Sequence, residues 1–243
     1  MMNCDPVTGA CALPDPKAVA GQQKVVPSTA WIVRYVGDPM CSWCWGLSNT
    51  VTLLAEFCAE HGIEFTLTVG GLRAGGGDPW NTAFKDFLRR EWTHIHKVTG
   101  QAFGFTLLEA PHFDYDTEPA CRAVVTASML IEARGLPRAS LLSFFSATQH
   151  RFYVDGLDPK EPAFYRDICA KVDLPFEEFR AAFDSPRARQ AVRDDFMKCR
   201  QWGVRSFPSL LLERNGALTP LASGYIGAGD LLARLRGRLS GEN

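Results

Sequence analysis

Residues 31–46 read WIVRYVGDPMCSWCWG, and the fold turns on how this stretch is interpreted. Its first six residues, 31–36, are a short run rich in Trp, Ile, Val and Tyr, the composition of a buried strand. From Ser42 the pattern changes to helical spacing, with Leu47, Val51, Leu54 and Cys58 on one face and Gly62 beyond the end as a stop. Residues 63–69, IEFTLTV, then alternate Phe65, Leu67 and Val69 as a strand does. Strand, helix and strand with short connections predict a right-handed βαβ unit whose two strands run parallel. Cys41 and Cys44 sit where strand gives way to helix. Three readings of them stay open at this level: a redox dithiol, half of a metal site, or two buried thiols.

The bulk numbers narrow the classes. The chain has 243 residues, 46% hydrophobic and 22% charged, with a net charge of −1. Without a long Lys/Arg run, that balance argues against a nucleic-acid or anionic-membrane surface. No apolar stretch approaches the length that spans a bilayer. The first thirty residues, rich in Pro, Gly and small polar residues, read as a loose arm. They lack a basic segment followed by an apolar one, so a cytoplasmic location is expected. In that compartment most of the eight cysteines are reduced, and a CxxC pair is more at home in redox or metal chemistry than as a staple.

Beyond the βαβ unit, GGLRAGGGDP at 70–79 lacks the Gly-Lys-Ser/Thr ending of a phosphate loop and reads as a slack strand exit beside the site. Residues 80–202 look almost wholly helical. Pro119, Pro137 and Pro186 open segments, and Gly135 and Gly203 close them. Strands return at 208–213, PSLLLE, followed by the hairpin turn Asn215-Gly216 and by ALTPLA, where Pro220 marks an edge strand or a bulge. GAGDLLARLRGRL at 227–239 closes the chain as an amphipathic helix. The expected architecture is α/β: a β-α-β piece and a β-β-α piece (31–77 and 203–243) sharing one sheet, interrupted by a helical block (78–202), with the arm (1–30) in front.

A dithiol exchanges disulfides when one sulfur is an exposed thiolate and the other waits to displace the partner. A free cysteine titrates at about 8.5, and the unpaired N–H groups at a helix start favour the thiolate. Cys41 falls at such a start. Cys44, almost one turn on, lies on the same face.

With DPMCSWCWG, GGL (70–72), EPACRA (118–123), RFYVDG (151–156) and GVRSFPSLLLE (203–213), the chain from about residue 31 to its end resembles the thioredoxin-like disulfide oxidoreductases of the DsbA family. The likeness is narrowest to the cytoplasmic branch of predicted protein-disulfide isomerases and to FrnE-like relatives. It implies Cys41 as nucleophile, Cys44 as resolving thiol, and Pro208 facing them behind a cis Phe207–Pro208 bond. The substrate would lie extended along Ser206 and Phe207, near Ser42, Trp43, Gly71 and Leu72. No cofactor is required beyond the Cys41–Cys44 disulfide. Glutathione or a thioredoxin-type protein would recycle it, and thiol- or disulfide-containing proteins or small molecules would be its substrates. Ser42-Trp43 stands where strongly oxidising relatives have Pro-His, so the expected potential lies toward the thioredoxin end of a range of about −270 to −120 mV.

The remaining candidates divide between chemistry and packing. Asp38, three residues before Cys41, is a candidate to relay the Cys44 proton, against a plain Asp-Pro turn. Cys4 and Cys11, in NCDPVTGAC, are a candidate accessory redox or soft-metal pair on the arm. Cys58, Cys121, Cys169 and Cys199 read as inert packing thiols. Trp43 and Trp45 read as covers for the dithiol, and Trp80, Trp92, Phe144 and Phe145 as packing. His94 and His96 project from nearly opposite helix faces, so no metal is expected there. Arg73 and Arg122 read as partners in structural ion pairs. Two rivals are carried forward. One is a glutathione-using kappa-type transferase or isomerase, a class with serine at the Cys41 position; the other is a non-enzymatic Cu or Zn binder.

Overall fold

A computed structural model describes residue 5, residues 11–12 and residues 30–241. The elements are β1 (Cys11–Ala12), β2 (Ile32–Gly37), α1 (Ser42–Gly46), α2 (Ser48–Glu60) and β3 (Glu64–Val69). Then come α3 (Thr82–Thr99), α4 (Thr106–Glu109), α5 (Glu118–Ala133), α6 (Ala139–Tyr153), α7 (Arg166–Lys171), α8 (Phe176–Phe183) and α9 (Pro186–Gln201). The chain ends with β4 (Ser206–Phe207), β5 (Ser209–Arg214), β6 (Ala217–Ser223) and α10 (Ala228–Ser240).

The four longer strands form one sheet in the order β3-β2-β5-β6. β2 and β3 run parallel, from Ile32 opposite Glu64 to Gly37 opposite Val69, as the βαβ reading requires. β5 returns antiparallel on the other side of β2, so the first and last parts of the chain meet in the middle of the sheet. The β5–β6 hairpin turns at Asn215 and Gly216, both at positive φ. Pro220 lies in the outer strand beside a register shift, where a missing N–H interrupts no interior ladder.

The predicted apolar face is buried: Val33, Tyr35, Leu47, Val51, Leu54 and Cys58 join one core with residues of α5, α6, α8 and α10. α1 and α2 are separated at Leu47, whose backbone remains helical, so the helix continues with a break. The long helices start and stop for local reasons. The Asn81 side chain accepts from the Phe84 N–H at the start of α3, and Ser185 does the same for Ala188 ahead of Pro186 in α9. Gly100 ends α3 in the left-handed region.

An aromatic cluster supports the segment that carries the cysteines. Trp92, fully buried, meets Tyr153 at 5.2 Å and Phe103 at 5.7 Å between ring centroids, and Tyr153 stacks beneath Trp45. Ring pairs of this kind each add about 0.5–1.5 kcal/mol beyond the area they bury. The Trp45 indole N–H also donates to the Ala102 carbonyl at 2.8 Å, tying α1 to the segment after α3. Trp80 and the Phe144–Phe145 pair pack as expected. Trp80 lies against Phe84 and Phe113, and Phe144 and Phe145 are both buried.

Candidate active site

Cys41 is the residue that caps α1: its backbone is extended, and its carbonyl accepts from the Trp45 N–H. Its sulfur lies 3.8 Å from the Phe207 carbonyl oxygen, to which the thiol donates. The Phe207–Pro208 peptide is cis. Cys44 sits behind Cys41, fully buried. Burial first, and then a hydrogen bond shared with Cys41, hold the Cys44 thiol well above the ordinary range. Cys44 is therefore a protonated thiol at neutral pH.

The expected exposed nucleophile is not what the structure contains: Cys41 is 0% exposed. Spacing places a cysteine at a helix start but says nothing of what folds over it. Nor is the glycine loop slack. Its N–H groups are tied one by one: Leu72 to Asp38, Arg73 to Thr117, Gly75 to Asp116 and Gly77 to Asp114. Gly70 is required by a close approach, since a Cβ there would lie 1.8 Å from the Phe207 ring. Loop and cis segment are thus packed face to face.

Both carboxylate oxygens of Asp38 are tied to neighbouring donors. One carboxylate oxygen accepts from the Met40 N–H at 2.8 Å, and the other from the Leu72 N–H at 2.7 Å and the Cys121 thiol at 3.4 Å. Among the described residues no hydrogen bond links this carboxylate to Cys41 or Cys44. The contact with Cys44 comes from the Asp38 backbone instead. Burial raises the carboxyl above its usual range, and the N–H donors, the Thr117 hydroxyl and Cys121 pull partly back. The carboxylate thus closes the turn at Met40 and clamps Leu72.

Two partners escaped the sequence reading. Tyr35 lies in β2, and its buried hydroxyl rests against the Cys44 thiol, with no hydrogen bond of ordinary geometry among the described residues. Gly37 makes room for it, as a Cβ there would come within 2.7 Å of that oxygen. Cys121, expected as packing, reaches Asp38. Cys199 donates to the Val69 carbonyl at 3.4 Å. Cys58 and Cys169 fit the packing role, and burial pushes each up to about 12.

Of the expected substrate residues, Ser42, Trp43, Leu72 and Phe207 are buried around the pair, and Gly71 adopts positive φ beside Phe196. The Ser206 hydroxyl lies 2.8 Å from that of Ser223. Trp43 packs edge-on against His94 at 5.7 Å and beside Tyr225. His96 turns away to the Gln101 carbonyl, so the two histidines do not converge. Arg73 pairs with Asp78 and lies over Phe84 and Tyr115. Arg122 pairs with Glu118 and Asp184 over the Phe183 ring. Cys4 lies outside the described residues. Cys11 is described through its backbone in β1, which pairs with β4. Among the described residues, no three His, Cys, Asp or Glu side chains gather as a metal site would need.

No family model and no curated protein matches the chain. Solved structures do. A protein from Nitrosomonas europaea described as a candidate protein disulfide isomerase is 29% identical with a TM-score of 0.75, and the match covers 88% of this chain and 100% of that one. The cytosolic disulfide reductase DsbM from Pseudomonas aeruginosa is 25% identical with a TM-score of 0.66, covering 86% and 98%. A 2-hydroxychromene-2-carboxylate isomerase shares the fold at 12% identity and a TM-score of 0.54, covering 86% and 94%. No helix of the described residues is long and apolar enough to cross a membrane. The four-stranded sheet, its helical insertion, and the CxxC-bearing first part of the chain joined to the last part through β2 and β5 fit these neighbours, and the chain is similar in fold to the DsbA-like thiol–disulfide oxidoreductases.

Proposed function

We propose that the protein reduces or rearranges disulfides through Cys41 and Cys44, in the cytoplasm, with glutathione as the recycling reductant. The observation that carries this is the pairing of a helix-capping cysteine, bonded to the carbonyl before a cis-proline, with a second thiol kept protonated one turn behind it. In the reductive direction the Cys41 thiolate attacks a substrate disulfide sulfur. A mixed disulfide forms, and the departing substrate sulfur takes a proton. Cys44 then loses its proton and attacks Cys41, which frees the second substrate thiol and leaves Cys41–Cys44 oxidised. Two glutathione molecules return the electrons and leave as glutathione disulfide.

Support for glutathione comes from charge. Arg89, Arg90, His94 and Lys97 line one recess on α3, and His94 packs on Trp43, between the two cysteines. A peptide with two carboxylates suits that recess. DsbM, the Pseudomonas reductase, has also been solved with glutathione. In this reading residues 78–202 form the helical insert that walls the substrate groove opposite Pro208, and Asp38 acts as a positioning residue for Leu72. The kappa-type alternative carries serine at the nucleophile, where this chain has Cys41.

The test is equilibration in a series of glutathione redox buffers, with thiols trapped and mapped by mass spectrometry. Cys41 and Cys44 should oxidise together as one two-electron couple at a potential toward about −270 mV. A pair that stays reduced throughout, while Cu or Zn co-purifies at one equivalent, overturns the reading in favour of a metal binder.

A further inference from the structure

β1 pairs antiparallel with β4, Cys11 opposite Phe207 and Ala12 opposite Ser206. Phe207 is the residue whose carbonyl bonds to the Cys41 thiol, and it precedes the cis-proline. Neighbouring strands lie about 4.8 Å apart, so the backbone of a cysteine is held one strand spacing from the group that contacts the nucleophile. An extended segment added to an open strand edge is how a peptide docks by main-chain hydrogen bonds, with side chains left to supply specificity. That edge is taken by the protein's own N-terminal segment, and Cys41, whose thiol meets the Phe207 carbonyl, is fully buried.

We infer that residues 11–12 are a tethered substrate strand and that Cys11 exchanges with Cys41, a proposal that rests on the redox reading above. Starting from the oxidised pair, the Cys11 thiolate attacks the Cys41 sulfur. The Cys11–Cys41 bond forms and the Cys41–Cys44 bond breaks. Cys44 leaves as a thiolate and takes up the proton that Cys11 gave up. One disulfide replaces another, and no external oxidant or reductant is consumed. The exchange is reversible, and an external substrate must displace the strand to reach Cys41. The structure thus points to a self-occupied site in which an internal thiol competes with clients.

The test uses the full chain carrying Cys44→Ser, which leaves Cys41 to choose between Cys11 and glutathione. A tethered group acts at an effective concentration of roughly 1 mM. With glutathione disulfide as oxidant and reduced glutathione, the thiol that competes with Cys11 for Cys41, held at about 0.1 mM, the Cys11–Cys41 cross-link should therefore exceed the Cys41–glutathione adduct about tenfold. Ala12→Pro, which removes an N–H and disfavours a paired strand, should erase that advantage. Cys41 recovered as the glutathione adduct with Cys11 free overturns the inference, as does a cross-link that Ala12→Pro leaves unchanged. The unsubstituted chain separates the two failures. If its Cys41 and Cys44 never form a disulfide, the redox reading has failed. If they do while Cys11 stays out of the C44S cross-link, this inference alone has failed.

Discussion

The contact between Gly70 and Phe207 allows a quantitative test of how the site is held. A Cβ on residue 70 would sit 1.8 Å from one Phe207 ring carbon and 2.2 Å from another. Ordinary carbon contacts lie at about 3.5–4.0 Å, so the ring must retreat by roughly 2 Å or the loop must lift. Phe207 is fully buried and has nowhere to go without disturbing its neighbours. Gly70→Ala should therefore cost about 3 kcal/mol, the upper end for overpacking. For a chain of this length that is a fall in Tm of roughly 6–12 °C. Phe207→Ala leaves a cavity and should cost about 3–5 kcal/mol on its own. In the double variant the new methyl enters the space the ring vacated, so the combined loss should fall short of the sum by about 1–3 kcal/mol. Urea denaturation of the four proteins measures that shortfall. Additivity within about 0.5 kcal/mol would refute the packing argument, and so would a neutral Gly70→Ala.

Three further outcomes are expected. Burial raises Cys44, Cys58, Cys121, Cys169 and Cys199, so the folded chain keeps protons that the unfolded chain releases above about pH 8.5. Stability of the reduced protein is whole below that pH and should fall above it, by up to about 1.4 kcal/mol per thiol per pH unit. A urea midpoint that is flat from neutral to strongly alkaline pH contradicts this. Asp38 is also raised, so its stabilising proton is present at low pH and lost as pH rises through the folded value. Wild type should gain stability relative to Asp38→Asn as pH is lowered from neutrality, and a loss in that direction counts against the buried-carboxyl account. Arg122 donates to Glu118, Asp184 and the Phe183 carbonyl, so Arg122→Met should cost about 1–3 kcal/mol and leave the exchange rate of the folded enzyme unchanged. A tenfold fall in kcat/KM at unchanged stability would instead make Arg122 a substrate-orienting residue.

Short-range periodicity made the frame legible. Alternation at Phe65, Leu67 and Val69 and the helical spacing of Leu47, Val51, Leu54 and Cys58 describe which face is wet, and βαβ handedness supplied the rest. Asn215-Gly216 marked its own turn because both positions need positive φ. What escaped were contacts between segments far apart in the chain. Nothing local to Tyr35 says that its hydroxyl will meet a sulfur on the following helix. Nothing in EPACRA says that Cys121 will bond to a carboxylate 83 residues earlier. The Gly70–Gly77 stretch looked slack because glycine permits many conformations. Its order comes from Asp114, Asp116 and Thr117, acceptors placed by a different part of the fold.

The bulge beside Pro220 bears on what this protein can handle without harm. A catalyst that receives partly unfolded chains is exposed to stray strands that could add to any open sheet edge and stay there. β6, at one edge, presents a proline and a broken register, poor templates for a continuous ladder. β3, at the other, is packed beside α9 and carries Glu64, which pairs with Arg138. Under the proposed function, client chains would be turned away from the large sheet and toward the two-residue edge at Ser206–Phe207, which β1 occupies in this structure. That edge is too short to hold a long strand, and it ends at the carbonyl that meets the Cys41 thiol.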